Sequence, residues 1–174
     1  MCQADCWNHL RNTWIGNTVA ALSEHLNDVL AEDLEKIPSM CRISTEISAL
    51  MISTEKYFGT QANCVKGKGS MFLWWMRTTH SGEYLYPIAR ACGGTRQDGD
   101  TKGAGPVLMN LPFYLQFVAW RYGCGGGDGI LEKSLFVRLR CVEMVGCLRV
   151  LTVIHMCVVI PLRWLVGNCH TLSD

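Results

Sequence analysis

Two cysteine–histidine pairs stand at opposite ends of this 174-residue chain. Cys6-Trp7-Asn8-His9 is a C-x-x-H at the start of a helical pattern, and Cys169-His170 lies near the far end. Thiolate and imidazole are the ligands of tetrahedral zinc, and the C-x-x-H spacing lets both reach one ion. One such pair fills half of the coordination shell. Cys2 can add a third ligand, and Cys169 with His170 completes the site where the termini meet. Without a metal, the same residues read as packed cysteines and surface histidines.

A second chemistry is suggested in the middle. Residues 65–70 (VKGKGS) carry Lys66 and Lys68, and Trp74, Trp75 and Arg77 follow closely. Lysines on a glycine loop can grip a phosphate backbone, and indole rings stack on unpaired bases. The spacing is not that of a P-loop, which needs G-x-x-x-x-G-K-[ST]. The plainer reading is a solvated loop leading into a buried aromatic helix. Asp98 and Asp100 could hold a divalent cation through oxygen, although carboxylates on such loops are ordinarily solvated. The glycine run at 123–129 has no strand before it and lacks the G-x-G-x-x-G register, so it reads as a linker. No G-x-S-x-G is present.

These residues must be positioned by a core. Hydrophobic residues make up 49% of the chain, which suits one packed domain rather than disorder. The net charge of +1 excludes a dedicated nucleic-acid coat or polybasic membrane binder. The sum hides an asymmetry, since residues 1–37 are acidic and residues 60–102 are mildly basic. The ten cysteines are scattered, several inside apolar helical patterns, and residues 1–11 contain no apolar signal core. Free thiols in a reducing, intracellular compartment (nuclear or cytoplasmic, not secreted) are therefore expected.

Helical spacing runs over 14–37, with Val19, Leu22, Leu26, Val29, Leu30 and Leu34 on one side, and Pro38 ends it. Ile43, Ile47, Leu50, Met51 and Phe58 repeat the pattern, with Gly59 as a C-cap. A short aromatic segment covers 71–77. Residues 91–106 are glycine-rich and nearly free of apolar side chains, which predicts a long loop. Residues 111–122 read as a helix with Pro112 in its first turn. Residues 130–160 read as one or two apolar helices, stopped or kinked at Pro161.

The stretch 144–162 is long enough to span a bilayer. Arg149 and His155 near its middle make insertion costly, at about 2.5–3.5 kcal/mol for an arginine. A buried core helix is the favoured reading, with Val145, Leu148, Leu151, Val153, Ile154, Val158 and Val159 hidden. Arg149 should then reach the surface or meet an acidic partner such as Glu32 or Asp33.

The N-terminal motif continues as Cys6-Trp7-Asn8-His9-Leu10-Arg11-Asn12, and Ile160-Pro161-Leu162-Arg163-Trp164-Leu165 lies near the other end. Together these resemble the C-x-x-H-x-L-N and Thr-Arg-Trp stretches of eukaryotic cut-and-paste transposases of the hAT and Mutator-like groups. The leucine stands one place early here, and Leu162 stands at the threonine. In that family the first stretch opens a helical insertion in an RNase H-like domain. The resemblance implies that two catalytic aspartates lie upstream of Cys6 and a glutamate downstream of Trp164. Two-metal strand transfer needs all three carboxylates, so a chain starting at Met1 would be a truncated, catalytically incomplete copy.

The sequence therefore predicts a mainly α, single helical domain over 1–174, of six or seven helices with long glycine-rich loops, belonging to a larger protein. The expected function is that of a transposase-derived helical insertion. Zinc would sit on Cys6, His9, Cys169 and His170, and DNA would meet Lys66, Lys68, Trp74, Trp75 and Arg77. The partner would be DNA, another protein or a missing flanking domain, rather than a membrane. The rivals are a helical protein-interaction module and a small membrane protein with one span at 144–162.

Overall fold

A computed structural model describes residues 2–35, 46–59, 67–87, 98–126 and 129–168, with side chains omitted at 2–9, 11, 32–35, 98–100 and 166–167. The elements are α1 (Cys2–Glu35), α2 (Glu46–Phe58), α3 (Gly69–Thr79), α4 (Asp98–Gly123), α5 (Ile130–Arg140), α6 (Val142–Ile154) and α7 (Ile160–Asn168). A π turn, His155–Val159, joins α6 to α7 as one rod. The described residues thus form six helical rods and contain no strand. The protein is mainly α.

Each rod follows from its apolar spacing. On α1, Ile15, Val19, Leu26 and Leu30 are buried along one stripe, while Glu24 and Asp28 face water. The helix begins well before Trp14, where the apolar pattern starts, because a helix once nucleated propagates through neutral residues. The short helix α2 lies at the centre. Ile47, Ala49, Leu50, Met51, Ser53, Thr54, Tyr57 and Phe58 are all buried, and α1, α3, α4 and α5 pack around it. The buried Thr54 hydroxyl is satisfied by donating to the Leu50 carbonyl at 2.8 Å.

The segment α3 turns back tightly after α2. The Lys68 amide donates to the Tyr57 carbonyl at 2.7 Å, and Gly69 follows. A Cβ on Gly69 would stand 2.8 Å from the Phe58 carbonyl oxygen and closer still to that of Gly59, so the close approach requires glycine here. Phe58, Phe72, Trp75, Tyr114 and Phe117 then form one aromatic cluster. The Phe58 and Tyr114 rings stack at 3.9 Å, and Phe72 meets Phe117 edge-on at 5.2 Å.

Helix α4 departs from expectation. Its described start at Asp98 lies inside the predicted glycine loop, and the helix runs through both Pro106 and Pro112. Each proline removes one backbone donor and crowds the carbonyl four residues back. Burial outweighs that cost. Thr101, Ala104, Val107, Asn110, Tyr114, Phe117 and Val118 recur at helical spacing and are all buried. Residues 91–97 of the predicted loop lie outside the described residues.

Between α5 and α6 the chain breaks at Cys141, whose sulfur accepts the Met144 amide at 3.4 Å as a helix cap. Of the stop or kink expected at Pro161 there is no stop: the helix runs on through a π turn just before the proline. Pro161 would press on the carbonyl of Cys157 in an α geometry, and the wider turn relieves that pressure, with the Ile160 amide reaching back to the His155 carbonyl.

The aromatic cluster is the test of this core. Phe58→Ala should lower the unfolding free energy in urea by about 3–5 kcal/mol, the usual range for a buried phenylalanine. A loss below about 1 kcal/mol would contradict the central position of α2.

Candidate functional site

The cysteine–histidine pairs are only partly within view. Cys6 and His9 stand one turn apart near the start of α1, the spacing that puts two residues on one helix face. Their side chains, and all of Cys169 and His170, lie outside the described residues. Among the described residues no group of three or more histidine, cysteine, aspartate or glutamate side chains gathers as a ligand set.

The basic aromatic segment separates into two faces. Trp74 is 57% exposed and shares a face with Arg77, one turn on, which is also exposed. Trp75 is 5% exposed and packs in the core against Phe117 at 5.5 Å and His80 at 4.9 Å. Lys68 is half-buried before the first turn of α3, and Lys66 lies outside the described residues. Helical geometry makes this split unavoidable, because adjacent residues are about 100° apart and cannot share a face.

Two buried ion pairs were not anticipated. The Tyr57 hydroxyl donates to the Glu132 carboxylate, and the Arg121 guanidinium lies 3.6 Å from the same carboxylate, so α2, α4 and α5 meet there. Gly126 lies over Arg121, where any Cβ would collide with the guanidinium. One turn and a half further along α5, Arg138 pairs with Glu46 at 2.8 Å and donates to Ser134. Glu132 and Arg138 are 4% and 6% exposed. Both lie on the face of α5 that buries Leu135 and Leu139, and that placement was the available signal in the sequence. Every charge is met by an opposite one, so these groups brace three helices.

The longest feature on the surface is the α6–α7 rod. The predicted core helix is only partly core. Met144, Cys147, Leu148, Leu151 and Val159 are buried, but Val153 is 60% exposed, and 22% of the apolar window in Val142–Leu165 is buried. The outward residues recur every three or four places as Val150, Val153, Met156 with Cys157, Ile160 with Pro161, and Trp164 with Leu165. By length and composition this rod is also the one among the described residues able to cross a membrane.

The cause is geometric. Thr152 packs beside Gly105 and His155 beside Thr101, so α6 runs antiparallel to α4. That seat turns Met144, Leu148 and Leu151 inward and leaves Val150 and Val153 on the outward side, and Val159 beyond them is still buried. Arg149 reaches the surface, one of the two outcomes expected of a cation in an apolar helix. The side chains of Glu32 and Asp33, named as such partners, lie outside the described residues.

No family model matches the chain, and no curated protein or solved structure does either. The likeness to cut-and-paste transposases therefore stands on the quoted residues alone.

The buried phenols give the site region a pH signature. Burial first, and then the bond to Glu132, push the Tyr57 phenol far above its usual range, with a smaller opposing pull from Arg121. Burial does the same to Tyr114, against a small lowering by the Asn110 amide. Unfolded tyrosine ionises near pH 10. Above about pH 10 the unfolded chain gives up protons that the folded chain keeps, so this contribution is complete below that pH and is lost as pH rises. Urea unfolding at increasing pH should show stability falling beyond about pH 10, with a shallower fall in Tyr114→Phe. An equal slope in that variant would contradict the assignment.

Proposed function

We propose that this chain is a helical interaction module that docks a partner on the outward face of the α6–α7 rod. The observation that supports the reading is the continuous run of exposed apolar side chains from Val150 to Leu165, which includes Trp164 at 67% exposure and Val153 and Met156 at 60%. Single exposed apolar residues are ordinary, but a contiguous patch of this kind marks an interaction surface. Fully burying one aliphatic or aromatic side chain contributes about 1.5–3 kcal/mol. The patch is also rich in the tryptophan, methionine and arginine that interfaces favour.

The geometry favours docking over insertion of the rod into a bilayer. Met144, Leu148 and Leu151 cover parts of the bundle core, and withdrawing them into lipid would expose that core to water.

A second reading keeps the transposase-derived function, with DNA contacted through Trp74 and Arg77. Their exposure on one face of α3 supports it. One experiment separates the two. A photoreactive amino acid is placed in the full chain at position 153, 160, 78 or 119, one position at a time, and crosslinked in cells. Positions 153 and 160 lie on the rod, 78 beside Arg77, and the exposed Ala119 on α4 is the control. Discrete protein adducts at 153 and 160, several-fold above 119, are expected. Nucleic-acid adducts confined to 78 would instead establish the second reading, and equal yields at 119 and 153 would end the first.

A further inference from the structure

Between α3 and α4 the chain passes through a short strap that one side chain holds. It turns at Gly82, where φ is +98°, and residues 83–87 belong to no helix. The Tyr86 amide donates to the side-chain oxygen of Asn110 at 3.0 Å, and the Asn110 side-chain nitrogen donates back to the Tyr86 carbonyl at 2.8 Å. Among the described residues no other hydrogen bond holds residues 84–87. The side chains alternate as on a strand. Leu85 packs against the core, while Tyr84 and Tyr86 face outward with their rings edge-on at 5.1 Å.

The grip belongs to α4. Asn110 is buried, and its side-chain nitrogen also donates to the Tyr114 hydroxyl at 3.2 Å. Tyr114 is fixed in turn by its stack on Phe58. One acceptor and one donor are therefore held in place for a passing main chain. An adjoining strand reads a backbone in the same way, taking the N–H and C=O of one residue whatever its side chain. When the strap lifts, both groups lose their partners, and an unmet polar group in a buried place is costly, so the vacated position favours another backbone.

We propose that Asn110 and the adjoining surface of α4 form a seat for an extended peptide, which residues 84–86 occupy in cis. The ligand class is an extended segment of a partner protein with an aliphatic side chain just before the residue whose backbone Asn110 reads. That is the chemistry already seated there. The strap is the displaceable part, because few hydrogen bonds and exposed side chains mark a segment that opens locally. None of these residues belongs to the α6–α7 rod.

Two measurements on the full chain test this. The first is amide hydrogen exchange of the native protein, read by NMR. The Tyr86 amide should exchange at least about a hundredfold faster than those of Phe117 and Val118 in α4. Exchange of Tyr86 only together with that core would make the strap a fixed part of the fold and overturn the proposal.

The second uses two capped, labelled peptides copied from residues 81–87 (SGEYLYP), one of them N-methylated at the second tyrosine. Each is titrated by fluorescence anisotropy against the wild type and against Leu85→Asp, which loosens the cis occupant and leaves Asn110 in place. Leu85→Asp should bind the plain peptide at least about tenfold more tightly than the wild type, whose seat is open for only a small fraction of the time. The N-methylated peptide lacks the N–H that the Asn110 oxygen accepts and should bind Leu85→Asp at least about tenfold more weakly. Adding Asn110→Ala to Leu85→Asp should abolish the gain while helical circular dichroism is kept. Equal binding of the plain peptide to the wild type and Leu85→Asp, or none to either, would overturn the seat. Equal binding of the two peptides would overturn the backbone reading.

Discussion

The antiparallel seat of α6 on α4 sets the rest of the molecule. It is the most extensive helix pairing in the fold. Gly105 on α4 faces Thr152, where even a Cβ would make only ordinary van der Waals contact with the methyl at 3.6 Å. Thr152 can present that methyl because its hydroxyl is already satisfied by the Leu148 carbonyl at 2.7 Å. Once this contact is fixed, the direction and height of the last rod are fixed with it. One side of the rod is then held against the bundle as far as Val159, and the other side faces outward.

The π turn completes that arrangement. A regular α helix would rotate a four-residue repeat steadily off the packed face. In the wider turn Leu151, His155 and Val159 remain on the bundle side, and Met156, Ile160 and Trp164 point outward. The same proline that forces the wide turn thus also aims the apolar run. The buried charges beneath are met by opposite ones. Tyr57, Glu132 and Arg121 brace three helices, and Glu46 with Arg138 locks α5 to α2. Removing one partner from such a pair strands a charge and costs far more than the pair itself contributes.

The helical class and the α1 and α2 cores were legible because Val19, Leu26, Leu30, Ile47, Leu50 and Phe58 carry a plain 3.6-residue period. The first half of α4 was hidden by its own composition. Glycine and proline argue locally against a helix, and only the tertiary burial of Ala104 and Val107 overrides them. Trp74 and Trp75 look alike in sequence, and only the orientation of α3 separates an exposed indole from a core one. The apolar rod was visible, but its exposure was not. Hydropathy cannot distinguish a covered helix face from an uncovered one. The paired charges at Glu132 and Arg138 could have been suspected from their place on the buried face of α5.

The central claim is that the outward face of the α6–α7 rod is open in the free chain while its inner face is sealed. Two cysteines report on this from opposite sides of the same rod. Cys147 is 6% exposed, and burial foremost raises its thiol pKa and holds it in the unreactive form. Cys157 is exposed among the outward apolar residues. Alkylation of the native, reduced protein, mapped by mass spectrometry over time, measures both at once. The account predicts that Cys157 is modified at least about a hundredfold faster, with Cys147 catching up only in denaturant. Protection of Cys157 equal to that of Cys147 in the free chain would show the face already covered and contradict the account.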